Sequence, residues 1–326
     1  MDDTATNMTR ALVVISLMAA SALTHAAEPW PSRPVRFILS FGAPGGSPDI
    51  IARRVGPKLT ELWGKQVVVD PRAGAGGVLG TDIAAKAPPD GYTMVLVSPA
   101  HAINPSLRKL PYDSVKDFEP VTKLAELPNI LTIYPPVGAR NAQELAALAK
   151  AKPGAYTFGS AGVGSSQHLA GELFRKMAGI NILHVPYKGG AAVVIDLVAG
   201  RVHMTFGSNT AIPHIRAGRL KAIAVTTLKR SPAMPDIPSM HESGFPGFEA
   251  AAWYGLLVPA RTPAAIVNKL HHDFSAVLQL PELREAFLPD TIDAAPSASP
   301  KAFAAFLAAE TVKWGALVRE TGAKAE

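Results

Sequence analysis

Residues 35–49 read Val-Arg-Phe-Ile-Leu-Ser-Phe-Gly-Ala-Pro-Gly-Gly-Ser-Pro-Asp, and this stretch decides the fold class. Its first six residues are a short, mostly apolar run that predicts a buried β-strand. The run stops at Gly42, and Ser47-Pro48-Asp49 then supplies a helix N-cap, a proline at the first helical position and an acid in the first turn. The stretch therefore predicts a strand, a glycine-rich loop and a helix.

The same order of strand and helix continues along the chain. A strand at residues 66–70, a helix at 76–86 and a strand at 92–98 complete a βαβαβ unit, which predicts a parallel sheet with helices on both faces. Further helices are predicted at 142–151, 165–178, 191–199, 264–280 and 300–321. Further strands are predicted at 129–134, 156–159, 182–187, 202–206, 220–226 and 252–258. We therefore expect an α/β protein.

Two series of strands and helices predict two lobes. Lobe I is expected to comprise residues 27–125 together with 228–326, and lobe II residues 126–227. The chain would cross between the lobes near residues 121–127 and again near 226–230. A cleft between two lobes is where small-molecule sites preferentially form.

The first 26 residues are typical of a secretory signal peptide. Arg10 is followed by thirteen uncharged residues and a small-x-small ending at Ala26, and the apolar run is too short to span a bilayer. Acidic residues directly after Met1 are unusual in such a leader, so Met8 is the expected start and Met1 the alternative. The mature protein would begin near Ala27 and work in the periplasm.

Composition narrows the classes of function. Apolar residues make up 48% of the chain, which is enough for a sizeable core. Cysteine is absent, which argues against a disulfide scaffold and against a thioether-linked lipid anchor. The net charge is +6, but the basic residues are scattered, so no nucleic-acid partner is predicted. We expect a soluble protein with a small-molecule partner.

The glycine-rich loop at residues 41–47 is the first candidate anion site. Glycines let the backbone come close to a ligand, and the helix that follows offers unpaired N–H groups with a partial positive charge. Such a loop suits a carboxylate or a phosphate. A tight turn from strand to helix without any ligand explains the same pattern equally well.

Residues 159–166 repeat this arrangement in the second lobe. Three glycines and three serines precede an amphipathic helix and supply N–H and hydroxyl donors. One such loop in each lobe predicts a pair of jaws that close on one anion. In open parallel sheets ligands bind beyond the carboxyl ends of strands. Further polar or glycine residues are expected there: Ser98, Asn104, Tyr187, Gly189, Ser208 and Asn209.

Other motifs do not favour a dinucleotide site, a hydrolase site or a metal site. Residues 74–80 superficially resemble a dinucleotide-binding loop, but their spacing favours a packed turn. A hydrolase would need Ser165 or Ser166 to act with His168, although these side chains diverge on one helical turn and no acid orients the imidazole. The histidines show no metal-binding spacing, so neither a metal nor a cofactor is predicted.

Several motifs in fixed order resemble one known family. They are Pro44-Gly45-Gly46-Ser47-Pro48-Asp49, Asp70-Pro71-Arg72-Ala73-Gly74, Pro89-Asp90-Gly91-Tyr92, Val185-Pro186-Tyr187-Lys188-Gly189 and Trp253-Tyr254-Gly255-Leu256. From about Trp30 to its C-terminus the chain resembles the substrate-binding proteins of tripartite tricarboxylate transporters, also called Bug receptors.

The resemblance implies a type II periplasmic binding protein fold, in which two α/β lobes close on a ligand in the cleft between them. It implies capture of an organic carboxylate, delivery to integral-membrane permease subunits, a monomer and no catalysis. A sensor partner in place of the permease is the alternative. Carried over by position, the residues that would hold the ligand are Phe41, Gly45, Gly46, Ser47, Asp49, Ser160, Gly164, Ser165, Ser166 and His168.

One departure from the family bears on the ligand. Many relatives carry two acidic residues after the glycine that matches Gly200, whereas this chain has His203 and Gly207 at those places. An unpaired buried ammonium is costly. The chain is therefore expected to bind a ligand without a positive charge.

Overall fold

The computed structural model describes residues 30–42, 44–207, 209–231 and 233–322. The predicted signal peptide and Ser208 lie outside the described residues. All the helices and strands described below belong to the compact unit that begins at Arg33.

The described elements follow the predicted order, with several additions. The strands are β1 (Val35–Leu39), β2 (Val67–Pro71), β3 (Thr93–Val97), β4 (Phe118–Leu127), β5 (Ile130–Ile133), β6 (Thr157–Ser160), β7 (Leu183–Pro186), β8 (Met204–Gly207), β9 (Lys221–Val225), β10 (Ala252–Pro259) and β11 (Asp293–Ala294). The helices are α1 (Ser47–Trp63), α2 (Val78–Ala85), α3 (Ala100–Leu107), α4 (Ala142–Ala151), α5 (Ser166–Ala178), α6 (Gly190–Val198), α7 (Ile212–Arg216), α8 (Ala264–Leu278), α9 (Pro281–Phe287) and α10 (Pro300–Thr321). Among the described residues, none of these helices is both long and apolar enough to cross a membrane.

The first sheet has six strands in the order β11-β4-β10-β3-β1-β2. Strand β1 lies between β2 and β3 and runs parallel to both, as the βαβαβ unit predicts. Strands β10, β4 and β11 extend the sheet in antiparallel pairs, so the expectation of a parallel sheet is wrong for this half. The reason is the path of the chain. Strand β4 leaves for the second sheet and β10 returns from it, so the two run in opposite directions.

Strand β4 occupies residues where the sequence predicted only an irregular crossing. Its buried residues include Val121, Leu124 and Leu127, a spacing of three rather than the two of a regular strand. Two register shifts in its pairing with β10 account for this spacing, because an extra residue turns the following side chains to the other face.

The second sheet has five strands in the order β7-β6-β8-β5-β9. Strand β6 runs parallel to β7 and to β8, so the loops that follow these three strands lie at one edge of the sheet. These loops carry residues predicted to line the cleft. Strand β5 is antiparallel to both β8 and β9.

The segments that run between the two sheets meet at one buried group of hydrogen bonds. Asn129 donates its backbone N–H to Thr226 Oγ1 at 2.9 Å and its side-chain Nδ2 to the Ala250 carbonyl at 2.6 Å. Thr226 in turn donates its N–H to the Asn129 carbonyl at 2.9 Å. The first crossing therefore follows Leu127, slightly later than predicted. The lobe bounds at residues 126 and 227 stay predictions.

The terminal helix α10 packs on residues of both sheets. Phe303 near its start lies in a buried cluster with Trp253 of β10, whereas Trp314 belongs to the cluster beneath the second sheet. Glu310, between them, accepts hydrogen bonds from the indole N–H of Trp253 at 2.8 Å and of Trp314 at 2.7 Å. This buried carboxylate fixes the helix against the strand that returns from the second sheet.

Candidate functional site

The loop between β1 and α1 is the first predicted jaw. Gly42 and Gly45 have positive φ angles of 93° and 76°. A Cβ atom on Gly42 would lie 3.0 Å from Cγ of Pro48, so both the backbone angle and the space require glycine there. Phe41 is half-buried and Gly45 is exposed, which leaves this loop open to solvent.

Asp49 holds this loop in place from within α1. The backbone N–H of Gly45 donates to Asp49 Oδ2 at 3.0 Å, and Arg53 Nε donates to Asp49 Oδ1 at 2.7 Å. The Asp49 carboxylate is therefore paired with a cation and engaged by its own loop. Its predicted contact with a ligand stays a prediction.

Ser47 was predicted to cap α1, and that prediction is wrong. Gly46 is the N-cap, in an extended conformation that places Ser47 inside the first turn. The Ser47 hydroxyl instead donates to Asn209 Oδ1 at 3.4 Å, in the loop that follows β8. It also hydrogen-bonds the buried Tyr254 hydroxyl, whose pKa burial raises to about 12. Ser47 therefore joins the loops of the two sheets.

The loop between β6 and α5 is the second predicted jaw, and it is bonded to itself. Ser165 is the N-cap of α5: its Oγ accepts the His168 N–H at 3.2 Å and donates to the Gly162 carbonyl at 2.7 Å. The Gly164 N–H donates to His168 Nδ1 at 3.3 Å. Ser160 is fully buried, with its Oγ 2.6 Å from His184 Nε2.

Aromatic rings support this second loop from below. The ring of His168 stacks on that of His184 with centroids 4.1 Å apart, and His184 stacks on Phe158 at 4.9 Å. Burial lowers the pKa of His168 to about 4, and burial together with the nearby His168 ring lowers that of His184 to about 3. Both rings are therefore neutral at pH 7. Since Nδ1 of His168 accepts a hydrogen bond, its proton lies on Nε2.

The hydroxyls that a hydrolase would need are engaged elsewhere. Ser166 Oγ donates to Asn129 Oδ1 at 3.3 Å, and the described bonds of Ser165 Oγ involve backbone groups only. The neutral imidazole of His168 accepts from the Gly164 N–H rather than from either serine. This arrangement does not form the serine–histidine pair of an activated nucleophile.

Asn104 of helix α3 lies between the turn at residues 74–80 and the second jaw. No element was predicted here, because the helix has only two turns and contains Pro105. Asn104 is buried and donates its Nδ2 to the Gly76 carbonyl at 3.0 Å. Its Oδ1 lies 3.7 Å from where a Cβ on Gly164 would stand, and Leu107 lies 2.8 Å from that point. Asn104 thus lies between the Gly76 turn and the second jaw, and its contact with a ligand stays a prediction. Gly164 has no space for a side chain.

The remaining predicted residues that the structure describes, Ser98, Gly189 and Tyr187, lie in different surroundings. Ser98 is buried directly after β3, and Gly189 is the N-cap of α6. Tyr187 follows β7 and borders the second loop: its N–H donates to the Ser160 carbonyl at 3.0 Å, and its ring lies 3.4 Å from where a Cβ on Gly159 would stand. Its hydroxyl donates to Asp196 Oδ2 at 2.8 Å. Burial, and then the Asp196 carboxylate, raise the pKa of that hydroxyl to about 12.

Residues 74–80 form the predicted packed turn, and they also border the first jaw. A Cβ on Gly80 would lie 2.7 Å from Cα of Ser40, so the turn is pressed against the end of β1. Gly77, with a φ of 94°, lies close to the carbonyl of Ser40 and the ring of Phe41. The glycines after β2 signalled this turn, but only the structure shows that it borders the site.

Two further observations concern where else a ligand or a metal ion could bind. A surface cavity of about 690 Å³ lies between α1 and β2, lined in part by Gly56, Thr60 and Val67, and none of the predicted site residues borders it. Within the described residues, no group of three or more histidine, aspartate and glutamate side chains could hold a metal ion. The two glycine loops remain the candidate site.

Comparison with known proteins places the chain in a family. Residues 51–323 match the family described as "Tripartite tricarboxylate transporter family receptor". Over 326 residues the chain is 38% identical to protein BugT of Bordetella pertussis, with 98% of this chain and 99% of BugT covered.

Solved structures agree. The structure of Rpa4515 from R. palustris with adipate is 33% identical, with a TM-score of 0.83 over 91% of this chain and 100% of that one. MatC (Rpa3494) from Rhodopseudomonas palustris with bound malate is 29% identical, with a TM-score of 0.78 over 89% of this chain and 100% of that one. The expected periplasmic binding protein fold is confirmed. Because the family match covers most of its length, the chain belongs to the tripartite tricarboxylate transporter receptor family.

Proposed function

We propose that the protein captures an organic carboxylate, a di- or tricarboxylate or an aromatic acid, between its two glycine loops. The observation that carries this proposal is a glycine loop in each sheet, placed after a strand and at the start of a long helix, with contacts between the sheets beside each loop. Ser47 contacts Asn209 across the sheets, and Asn104 lies between Gly76 and Gly164. Helix N-termini favour anions, and the binding of adipate and malate by relatives supports a carboxylate.

The two loops would contribute differently to the ligand. Helix α1 begins without a side-chain cap, so its first N–H groups are free of a capping side chain. Helix α5 is capped by Ser165, and its loop is rigidly supported by His168. The capture of an anion by fixed N–H dipoles and hydroxyls replaces the hydration that the anion loses.

The proposed ligand carries no positive charge. His203, at one place where relatives have an acid, accepts the Thr157 N–H through Nδ1 at 3.1 Å, and burial lowers its pKa. Gly207, at the other place, is a buried strand residue. Asp49 is already paired with Arg53. These residues supply no free carboxylate for a ligand ammonium.

The proposed setting is the periplasm, reached by way of the cleavable leader at residues 1–26, with transient binding to the integral-membrane permease subunits. The family assignment supports a transporter partner. The protein is proposed to act as a monomer without catalysis.

A thermal-shift screen tests the proposal. Purified protein is unfolded in guanidinium, refolded to remove prebound ligand, and heated with carboxylates, amino acids or neutral sugars. A ligand that binds only the folded state raises the melting temperature by mass action. Stabilisation by one or a few carboxylates is the expected result. Stabilisation by amino acids alone, or by no carboxylate at all, would contradict the proposal.

A further inference from the structure

Arg108 stands apart from the other arginines of the described chain. It follows α3, and its side chain is partly buried. The other partly buried arginines among the described residues, Arg36 and Arg175, lie within 4 Å of a carboxylate, whereas Arg108 does not. A partly desolvated cation without an anion is unfavourable. This position therefore favours an anionic partner from outside the chain.

Within the described part of the chain, Arg108 uses few of its hydrogen-bond donors. Nη1 donates to the Ala75 carbonyl at 3.3 Å, and Nε is buried without a partner among the described residues. A guanidinium carries five N–H donors in a planar fork that matches a carboxylate. The bond to Ala75 orients the side chain, and Nη2, which has no hydrogen bond among the described residues, is left for a ligand.

Asn104, one helical turn before Arg108, is a second polar side chain at the same place. It is 1% exposed, and its Nδ2 is held by Gly76 while its Oδ1 has no partner among the described residues. A buried acceptor without a donor is costly. This oxygen lies between the Gly76 turn and Gly164 of the second jaw. The unused groups of Asn104 and Arg108 therefore lie beside the candidate site.

The position of Arg108 relative to the two jaws indicates that Arg108 and the jaws bind different groups of the ligand. A Cβ on Gly76 would lie 3.8 Å from Arg108 Nη2. The neighbouring Gly77 lies against Ser40 and against Phe41 of the first jaw. Helix N-termini in the jaws suit one carboxylate. A second anionic group of the same ligand would reach the guanidinium at the rim.

We infer that Arg108 binds a second carboxylate of the ligand and makes this site selective for ligands with two anionic groups. The inference rests on the proposed function, because it needs the first carboxylate to be held between the glycine loops. Arg108 is absent from the residues that the family resemblance and the strand pattern assigned to the site.

Paired probes and a neighbouring control variant test this inference. The refolded protein is titrated calorimetrically with succinate, adipate and terephthalate and with the monomethyl ester of each. Arg108→Gln removes the cation, and Lys109→Gln removes the adjacent exposed cation with the same change of net charge. Arg108→Lys keeps the charge and loses the fork. Melting temperatures without ligand confirm that each variant is folded.

The expected result is a change in selectivity. The unaltered protein binds a dicarboxylate more tightly than its monoester, and Arg108→Gln weakens the dicarboxylate by about tenfold to a hundredfold. The monoester affinity stays within about threefold in both variants, and Lys109→Gln changes neither ligand by more than that. Arg108→Lys restores part of the preference.

Other outcomes separate the two claims. Equal losses for diacid and monoester in Arg108→Gln, or an equal effect of Lys109→Gln, would overturn the inference and leave the proposed function standing. If the unaltered protein bound none of the probes nor any carboxylate of the wider screen, the proposed function itself would fail.

Discussion

The two glycine loops look alike in sequence but differ in how they are supported. The first is open to solvent and is held mainly by Asp49, which joins the Gly45 N–H to Arg53. The second is fixed by a serine cap, by His168 and by a stack of rings on Phe158. Glycine content therefore predicts where a backbone can approach a ligand, whereas the surrounding side chains decide how rigid that backbone is.

The largest expected effect comes from removing the support of the second loop. Phe158→Ala deletes a fully buried ring beneath His184 and should lower the free energy of unfolding by about 3–5 kcal/mol. Phe41→Ala, in the half-buried first loop, should cost less than about 2 kcal/mol. Guanidinium denaturation of both variants measures the difference. Equal costs would show that the two loops are supported alike.

The histidine stack should make the stability of the second loop depend on pH. An unfolded histidine has a pKa of about 6.5. Because the folded-state pKa values of His168 and His184 are lowered to about 4 and 3, the unfolded chain binds protons that the folded chain does not. The stabilisation is therefore full above pH 6.5 and is lost as the pH falls through 4.

Replacing one ring of the stack measures this effect. His184→Gln should reduce the fall in unfolding free energy between pH 6.5 and 4 by about 2–3 kcal/mol. His272→Gln, at a side chain that is 77% exposed, makes the same substitution outside the stack and is the control. Identical profiles for both variants would contradict a role for the buried stack.

The first loop should depend on one carboxylate. Asp49→Asn removes the charge that pairs with Arg53 and weakens the acceptor for the Gly45 N–H, so stability should fall by about 1 kcal/mol. Arg53→Gln changes only the exposed end of the pair and should cost less than that. A larger cost for Arg53→Gln would show that the exposed ion pair, rather than the bond to Gly45, holds the loop.

The smallest expected effect concerns the contact between the loops. Ser47→Ala removes a long hydrogen bond to Asn209 and the bond to Tyr254, and should weaken carboxylate binding by a few-fold, about 1 kcal/mol or less. Ser243→Ala loses a hydroxyl that donates to the Ser239 carbonyl, away from both loops, and serves as the control. Calorimetric titration compares them, and matching affinities would argue against a contribution of Ser47.

Local signals predicted much of this fold, and non-local contacts account for what they missed. The bounds of α4 and α10 were predicted as found, because Asn141 and Ser299 cap them with short-range bonds to Glu144 and Ala302. Strand β4 was missed because its bulges depend on β10, more than a hundred residues away in sequence.

Prediction of the candidate site was also limited by contacts between residues that are distant in sequence. Both glycine loops were predicted from their positions between strand and helix. The role of Ser47 was mistaken because its partner, Asn209, comes from the other sheet. No sequence pattern indicated a role for Arg108, because its partial burial and its lack of a carboxylate partner appear only when α3 is packed against the Gly76 turn.

One pair of variants tests the central claim, that both loops hold one carboxylate. Gly164→Ala places a methyl group 2.8 Å from Leu107 and 3.7 Å from Asn104 Oδ1, at a φ of 82°. Gly218→Ala imposes a similar backbone strain at a φ of 67°, with no atom within 4 Å of the new methyl group. The measurement is the affinity of each variant for the carboxylate that most stabilises the unaltered protein. We predict that Gly164→Ala, which adds a close contact to the backbone strain, loses more stability than Gly218→Ala. Under conditions in which both variants are folded, only Gly164→Ala loses binding, by at least about tenfold. Unchanged affinity in a folded Gly164→Ala protein would contradict the account.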